Sequence, residues 1–199
     1  AASDVYKRQH INNINNFLVI TGDPIPSMVR SSVKSVFNFD SVGLMNIISD
    51  MNQDQFADKP VIYGGAINQG RVNFKVELAR VKKKMEAGAT FFMTQPVFSD
   101  EDISRLRQIK EETGARILCG IMPFVSLRNA TFMKNEMTGI NVTDEILARY
   151  SADMTKEEGE ETGIQIAKEI ITKTSDFVDG YYFSFPFNRV HMLEKILNA

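Results

Sequence analysis

One cysteine, Cys119, and two histidines, His10 and His191, are all that the 199 residues offer of the usual soft metal ligands. An internal disulfide and a cysteine-rich zinc site are therefore excluded, and a histidine-based metal centre has too few ligands. No window approaches the roughly 18 uncharged apolar residues of a membrane span, and the N-terminus lacks the charged-then-apolar pattern of a signal peptide. Neither sign of charge is in excess. With 23 basic against 25 acidic residues the formal net charge is -2, so there is no bulk attraction to nucleic acid or to an anionic membrane. Any basic site must be local. A dinucleotide-type GxGxxG run is also missing. What is present is the balance of an ordinary globular chain, 43% hydrophobic and 24% charged, enough for one substantial core. A cytoplasmic protein, with no nucleic acid or membrane partner, is expected.

Short β-rich runs alternate with helical patterns. FLVITG (17 to 22) precedes SVGLMNIISDM (41 to 51), where Val42, Met45, Ile48 and Met51 recur at helical spacing. PVIYGGAI (60 to 67) precedes NFKVELARVKKKMEAGA, where Phe74, Leu78, Val81 and Met85 share a face and Gly88 stops the helix. TFFMTQP (90 to 96) leads into SDEDISRLRQIKEETG, with an N-cap serine, a capping-box acid and a closing Gly114. ARILCGIMP (115 to 123) leads into SLRNATFMKNEM, and GYYFSFP (180 to 186) into NRVHMLEKILNA. Between these last two units, TDEILARYSADM and KEEGEETGIQIAKEIITKTS read as two helices of an elaborated crossover. No low-complexity linker divides the chain.

Such alternation means parallel strands covered by helices, joined by right-handed crossovers. Several strands end in a small or polar residue followed by proline, as in Gly22-Asp23-Pro24 and Gln95-Pro96, which favours the C-terminal rim of a TIM-type (β/α)8 barrel over an open sheet. About five strand-helix units are visible, too few to close that barrel.

At the first rim, Asp23 of TGDP is either a carboxylate meant for a ligand or ordinary Asp-Pro turn chemistry. Gln95 is an amide suited to a heterocycle that presents donors and acceptors side by side, or one that satisfies nearby loop backbone. In RVKKK, Arg80, Lys83 and Lys84 lie near one another and would suit phosphates, or they solvate an outer face. Phe37 and Phe39 offer a platform for a flat ring, or staple the following helix. Arg189, directly after a strand, suits a phosphate or carboxylate. Cys119 lies in an apolar run without a basic neighbour and is expected to be buried. The two histidines have no triad or ligand spacing.

Taken in order, LVITGDP, FDSVGLMNII, KKKMEAGATFFMTQPVF, GIMPFVSLRNA and GYYFSFPFNR resemble the methylenetetrahydrofolate reductases, and most of all the reductase half of the bifunctional proteins that carry a homocysteine methyltransferase. The resemblance implies a (β/α)8 barrel that binds FAD and passes a hydride from NADH or NADPH to 5,10-methylenetetrahydrofolate, giving 5-methyltetrahydrofolate in one-carbon and methionine metabolism. Asp23 matches the aspartate that tunes flavin and folate, and its charge would favour an electrophilic iminium form of the folate in a site sheltered from water. Gln95 matches the pterin-binding glutamine, and Arg189 resembles an arginine near the folate end. Thr21, Gly22, Phe37 and Ala66 fall beside the flavin in the same comparison. Glu77, Arg80, Lys83 and Lys84 fall on the helix that meets its phosphates and ribose. Phe37 stands where a tyrosine is common, which keeps the ring and removes a hydroxyl.

The resemblance begins near Ile11 and lacks the upstream units that carry the family's general-acid glutamate. Residues 1-10 are accordingly set apart as an uncertain or foreign segment, and residues 11-199 are read as the C-terminal part of a reductase barrel. Open strand edges then lead us to expect a homo-oligomer or aggregate, weak FAD binding and little turnover. A fused or partner homocysteine methyltransferase is allowed by the resemblance. Two rival readings stand beside it: a non-catalytic half-barrel subunit, and a barrel lyase or aldolase that binds a phosphorylated ligand. No strand here ends in the lysine that a Schiff-base aldolase needs.

Overall fold

The computed structural model describes residues 2–22, 39–137 and 139–198. Among them are five strands, each followed by at least one helix, an α/β fold of the TIM-barrel type. Contacts divide the chain into two compact units, Ala1–Ala66 with Ala79–Phe91, and Ile67–Leu78 with Phe92–Ala199.

In the first unit, β1 (Asn16–Val19) pairs in parallel with β2 (Ile62–Ile67), Asn16 opposite Ile62 and Val19 opposite Gly65. Helix α2 (Ser41–Gln53) starts because two oxygens meet its first free N–H groups. Asp40 Oδ1 accepts from Gly43 N at 2.9 Å, and Thr21 Oγ1, just past β1, accepts from Ser41 N at 2.9 Å. Of its expected stripe, Met45, Ile48 and Met51 are buried and Val42 is half-buried. Asn52 then holds the chain before β2 by both sides of its amide, donating to Val61 O and accepting from Val61 N, each at 2.9 Å. The N-terminal segment, which shows no periodicity in sequence, forms α1 (Ala2–Ile11). It is held by long-range ring contacts: Tyr6 meets Phe17 edge-on at 5.5 Å, and His10 stacks on Phe56 at 4.2 Å. Gly64 is required where it stands, because a Cβ there would lie 2.4 Å from Phe91 O.

Helix α3 (Phe74–Glu86) differs from its expected pattern. Val81 is buried, but its buried companions are Glu77 and Lys84, while Phe74, Leu78 and Met85 are half-buried. The charged pair wins the inner face because each head group has a backbone partner there.

In the second unit, β3 (Phe91–Pro96) pairs in parallel with β4 (Ile117–Ile121), and β4 with β5 (Gly180–Phe183). The β3–β4 register slips between Met93 and Pro96. Thr94 repairs the slip: its Oγ1 accepts from Gly120 N at 2.9 Å and donates to Gln95 O at 2.7 Å. Helix α4 (Asp100–Thr113) begins at Ser99, whose Oγ accepts from Asp102 N at 3.0 Å, and ends at left-handed Gly114. Helix α5 (Leu127–Glu136) is capped by Ser126. The expected helix over 143–154 is only α6 (Asp144–Leu147). Beyond it Tyr150 turns inward, is buried, and donates from its hydroxyl to Phe124 O at 3.2 Å. Helix α7 (Lys156–Thr174) has a complete Thr155–Glu158 capping box, and α8 (His191–Leu197) closes the chain.

Candidate functional site

The sequence-predicted residues fall into groups with different surroundings, and Asp23 and Phe37 lie outside the described residues. In the first unit, Thr21 ties the end of β1 to the start of α2. Gly22 follows with φ +90, a conformation that glycine adopts without steric cost. Ala66 offers its carbonyl to Lys84 Nζ at 2.5 Å, and Lys84 is only 4% exposed. Lys83 is exposed and Arg80 half-buried, so adjacent lysines on α3 face opposite environments.

The second unit places Gln95 as the penultimate residue of β3, half-buried, with its peptide groups gripped by another amide. Gln69 Oε1 accepts from Gln95 N at 3.2 Å, and Gln69 Nε2 donates to Gln95 O at 2.9 Å. Gln69 is 1% exposed, and its own carbonyl accepts from Arg105 Nη1 at 2.8 Å. Sequence reasoning missed Gln69. The one available signal was an amide two residues beyond an apolar strand.

Glu77 sits nearby in sequence and does two jobs. Its Oε1 accepts from Asn68 N at 2.9 Å, and its Oε2 lies 2.9 Å from Arg71 Nε. That ion pair is close but the N–H is not aimed at the oxygen. Arg71 Nε and Glu77 Oε2 compensate each other as an ion pair, while Asn68 Oδ1 is buried without a hydrogen bond. A donor on a ligand beside residues 67–78 would complete Asn68 Oδ1.

Arg189 follows β5. Its Nε donates to Glu160 Oε1 on α7, and its guanidinium lies 5.5 Å from the Phe187 ring centre. Phe183 and Phe185 stack nearly parallel with centroids 5.8 Å apart. The Phe187 ring beside a half-buried guanidinium suits a ligand that joins a flat ring to an anion.

Cys119 is buried as expected, and burial pushes its thiol up to about 12, which removes it as a nucleophile at neutral pH. Asp102 on α4 is fully buried and neither carboxyl oxygen has a well-aligned hydrogen bond. Burial raises it above its ordinary 3.8, while the nearby Ser99 and Phe98 oppose the shift. A carboxyl that holds its proton more tightly when folded stabilises the fold below its unfolded pKa and loses that contribution as pH rises through the folded value. Asp102→Asn has no such proton to lose. Urea midpoints at pH 4 and pH 7 should therefore fall more for the parent than for the variant, and equal falls would show that Asp102 does not titrate in this way.

Among the described residues there is no group of side chains fit to hold a metal ion, and no helix long and apolar enough to cross a membrane. No curated protein matches the sequence. Among solved structures, an uncharacterized protein from Clostridium thermocellum that binds two copies of 5-methyl-5,6,7,8-tetrahydrofolic acid resembles it with a TM-score of 0.56 and 15% identity. The likeness covers 96% of this chain and 74% of the other, and at that identity it speaks for the fold. The methylenetetrahydrofolate reductase family matches residues 3–198, nearly the entire sequence. With parallel strands, helices between them and polar side chains gathered at strand ends, the chain belongs to the methylenetetrahydrofolate reductase family.

Proposed function

We propose that this chain binds a reduced folate and serves the FAD-dependent reduction of 5,10-methylenetetrahydrofolate to 5-methyltetrahydrofolate, with NADH or NADPH as hydride donor. The observation that carries the reading is Gln95. Its peptide is clamped on both sides by the buried Gln69 amide, which fixes the strand end that carries it and so supports a role in recognising a ligand. The folate bound by the Clostridium thermocellum protein supports the same ligand class.

One observation supports FAD: Lys84 is a buried ammonium set against the Ala66 carbonyl. An ammonium carries three donors, and a phosphate oxygen would share it with that carbonyl. Lys84, Lys83 and Arg80 would meet the phosphates and Glu77 the ribose, while Thr21, Gly22, Phe37 and Ala66 would border the ring. Bound FAD supplies the hydride carrier between nicotinamide and folate, in two half-reactions.

The protein's own part is orientation and charge. Gln95 orients the pterin through paired hydrogen bonds. Asp23, as a carboxylate, would favour the cationic form of the folate that accepts hydride. Arg189 would hold an anionic group of the folate at the far end. We further assign residues 11–199 to the barrel and expect self-association of the chain.

Two titrations test this reading. Titrated with FAD at equilibrium, the protein should shift the flavin band with weak affinity, and Lys84→Met should lower that affinity by about 10- to 100-fold, the worth of one hydrogen bond to a charged group. Titration with 5-methyltetrahydrofolate should show saturable binding that Gln95→Ala weakens. A protein that binds folate yet never binds flavin would favour the non-catalytic reading, and one that binds neither would overturn the proposal.

A further inference from the structure

We propose that Glu160 is a positioning residue, holding the Arg189 guanidinium so that its outer edge faces a carboxylate of the bound ligand. The inference rests on the reading that the chain binds a reduced folate, and it adds a residue which neither motif nor spacing singled out.

Glu160 lies near the start of α7, and its side chain is 17% exposed. Its two oxygens are divided between residues on either side of Val190. Oε1 accepts from Arg189 Nε, and Oε2 pairs with His191 Nε2 at 2.8 Å. These contacts hold Glu160 below the ordinary carboxylate range, the His191 hydrogen bond first and Arg189 next among the lowering causes, against a smaller opposing cost of burial. Helix α7 is itself fixed against the preceding loop, since Gly159 approaches Val125 O so closely that a Cβ would lie 2.3 Å away. Glu160 is thus a charged post on a rigid element.

The segment it grips is strained. Phe187 and Asn188 are consecutive non-glycine residues with φ of 55 and 59. The left-handed region is tolerable for asparagine and disfavoured for phenylalanine, and such residues persist where their surroundings over-determine them. The bend places the Phe187 ring beside the guanidinium, 5.5 Å from centroid to Cζ. Arg189 is therefore held by Glu160 at Nε and backed by Phe187. Among the described residues its two Nη groups have no hydrogen-bond or ion-pair partner.

A guanidinium used at Nε keeps its terminal edge for a planar two-oxygen acceptor, which is the geometry of a carboxylate. A free arginine would pay rotamer entropy on binding, and Glu160 removes that cost beforehand. Releasing one long side chain of this kind corresponds to a loss of about three- to tenfold in affinity.

The experiment compares two ligands, 5-methyltetrahydrofolate and the same folate with both glutamate carboxylates converted to amides. Equilibrium binding is measured for the parent chain, Glu160→Ala, Arg189→Leu and the double variant. The parent should prefer the acid over the diamide. Glu160→Ala should weaken the acid about three- to tenfold and leave the diamide unchanged, and the double variant should bind the acid no more weakly than Arg189→Leu alone. Equal weakening of both ligands would mark Glu160 as merely structural and overturn the inference, as would no weakening of either. A parent chain that binds neither ligand overturns the folate reading and this inference together, whereas binding without the selective loss overturns this inference alone.

Discussion

Replacing Gly163 with alanine should destabilise the protein by about 3 kcal/mol and lower its Tm by about 6–12 °C. The methyl group would stand 2.0 Å from Phe124 O and 3.1 Å from Phe124 C, and both are backbone atoms that cannot swing aside as a side-chain end can. One turn earlier, Gly159 is in the same position against Val125 O. Helix α7 therefore rests on the loop after β4 through two glycines on one face, and inserting a methyl must push the helix off. Gly114→Ala is the natural comparison. Nothing lies within 4 Å of a Cβ there, and the cost comes only from φ +67, about 1 kcal/mol. Urea unfolding followed by circular dichroism would rank the two variants. If Gly163→Ala cost no more than Gly114→Ala, α7 would not approach the loop as closely as described.

Gln69→Leu should cost about 1–3 kcal/mol and should also weaken folate binding. Leucine has nearly the right volume, so no cavity confuses the result. What disappears is the pair of hydrogen bonds to Gln95 N and Gln95 O. Gln95 O would keep its hydrogen bond from Thr94 Oγ1, and Gln95 N would lose the Gln69 acceptor, at about 1–3 kcal/mol for the one group left unpaired. Gln95 would then lose the support that keeps its peptide in one orientation. Gln69→Glu is the informative companion, because it keeps the acceptor for Gln95 N while removing the donor to Gln95 O. Thermal melts together with 5-methyltetrahydrofolate titration would separate the outcomes. If Gln69→Leu lowered stability while folate affinity stayed the same, Gln69 would be a structural clamp only, and Gln95 would lose its main claim to a binding role.

Local chemistry explains which elements were legible. Ser99 was readable as a helix start and Gly114 as a stop because both act within a few residues of themselves, through a side-chain oxygen and a left-handed turn. The buried stripe of α2 followed from spacing alone, since apolar side chains need only a common face. The same logic failed on α3. Glu77 and Lys84 reach the inner face by finding backbone partners at Asn68 and Ala66, and a hydropathy pattern cannot see a hydrogen-bond partner. It failed on α6 because the pull of a buried Tyr150 toward Phe124 O is a long-range contact. Helix α1 has no amphipathic stripe to betray it and depends on the rings of Phe17 and Phe56.

Gln95 and Arg189 were singled out in the sequence because each reads as standing at or just after a strand end, where chemistry is expected in a barrel; in the structure Arg189 lies six residues beyond β5. Their supports, Gln69 and Glu160, were not singled out. Each acts across 26 or 29 residues on a partner that only folding brings near. The sequence by itself determined the class of fold, the strand ends that carry polar groups, the buried cysteine and the resemblance to the reductase family, because these depend on periodicity, on turn chemistry and on residues read in order. Tertiary structure alone decided which charged side chains of α3 turn inward, which amide clamps Gln95 and which carboxylate holds Arg189. Those choices are made by the geometry of hydrogen bonds between distant segments, and no local pattern encodes that geometry.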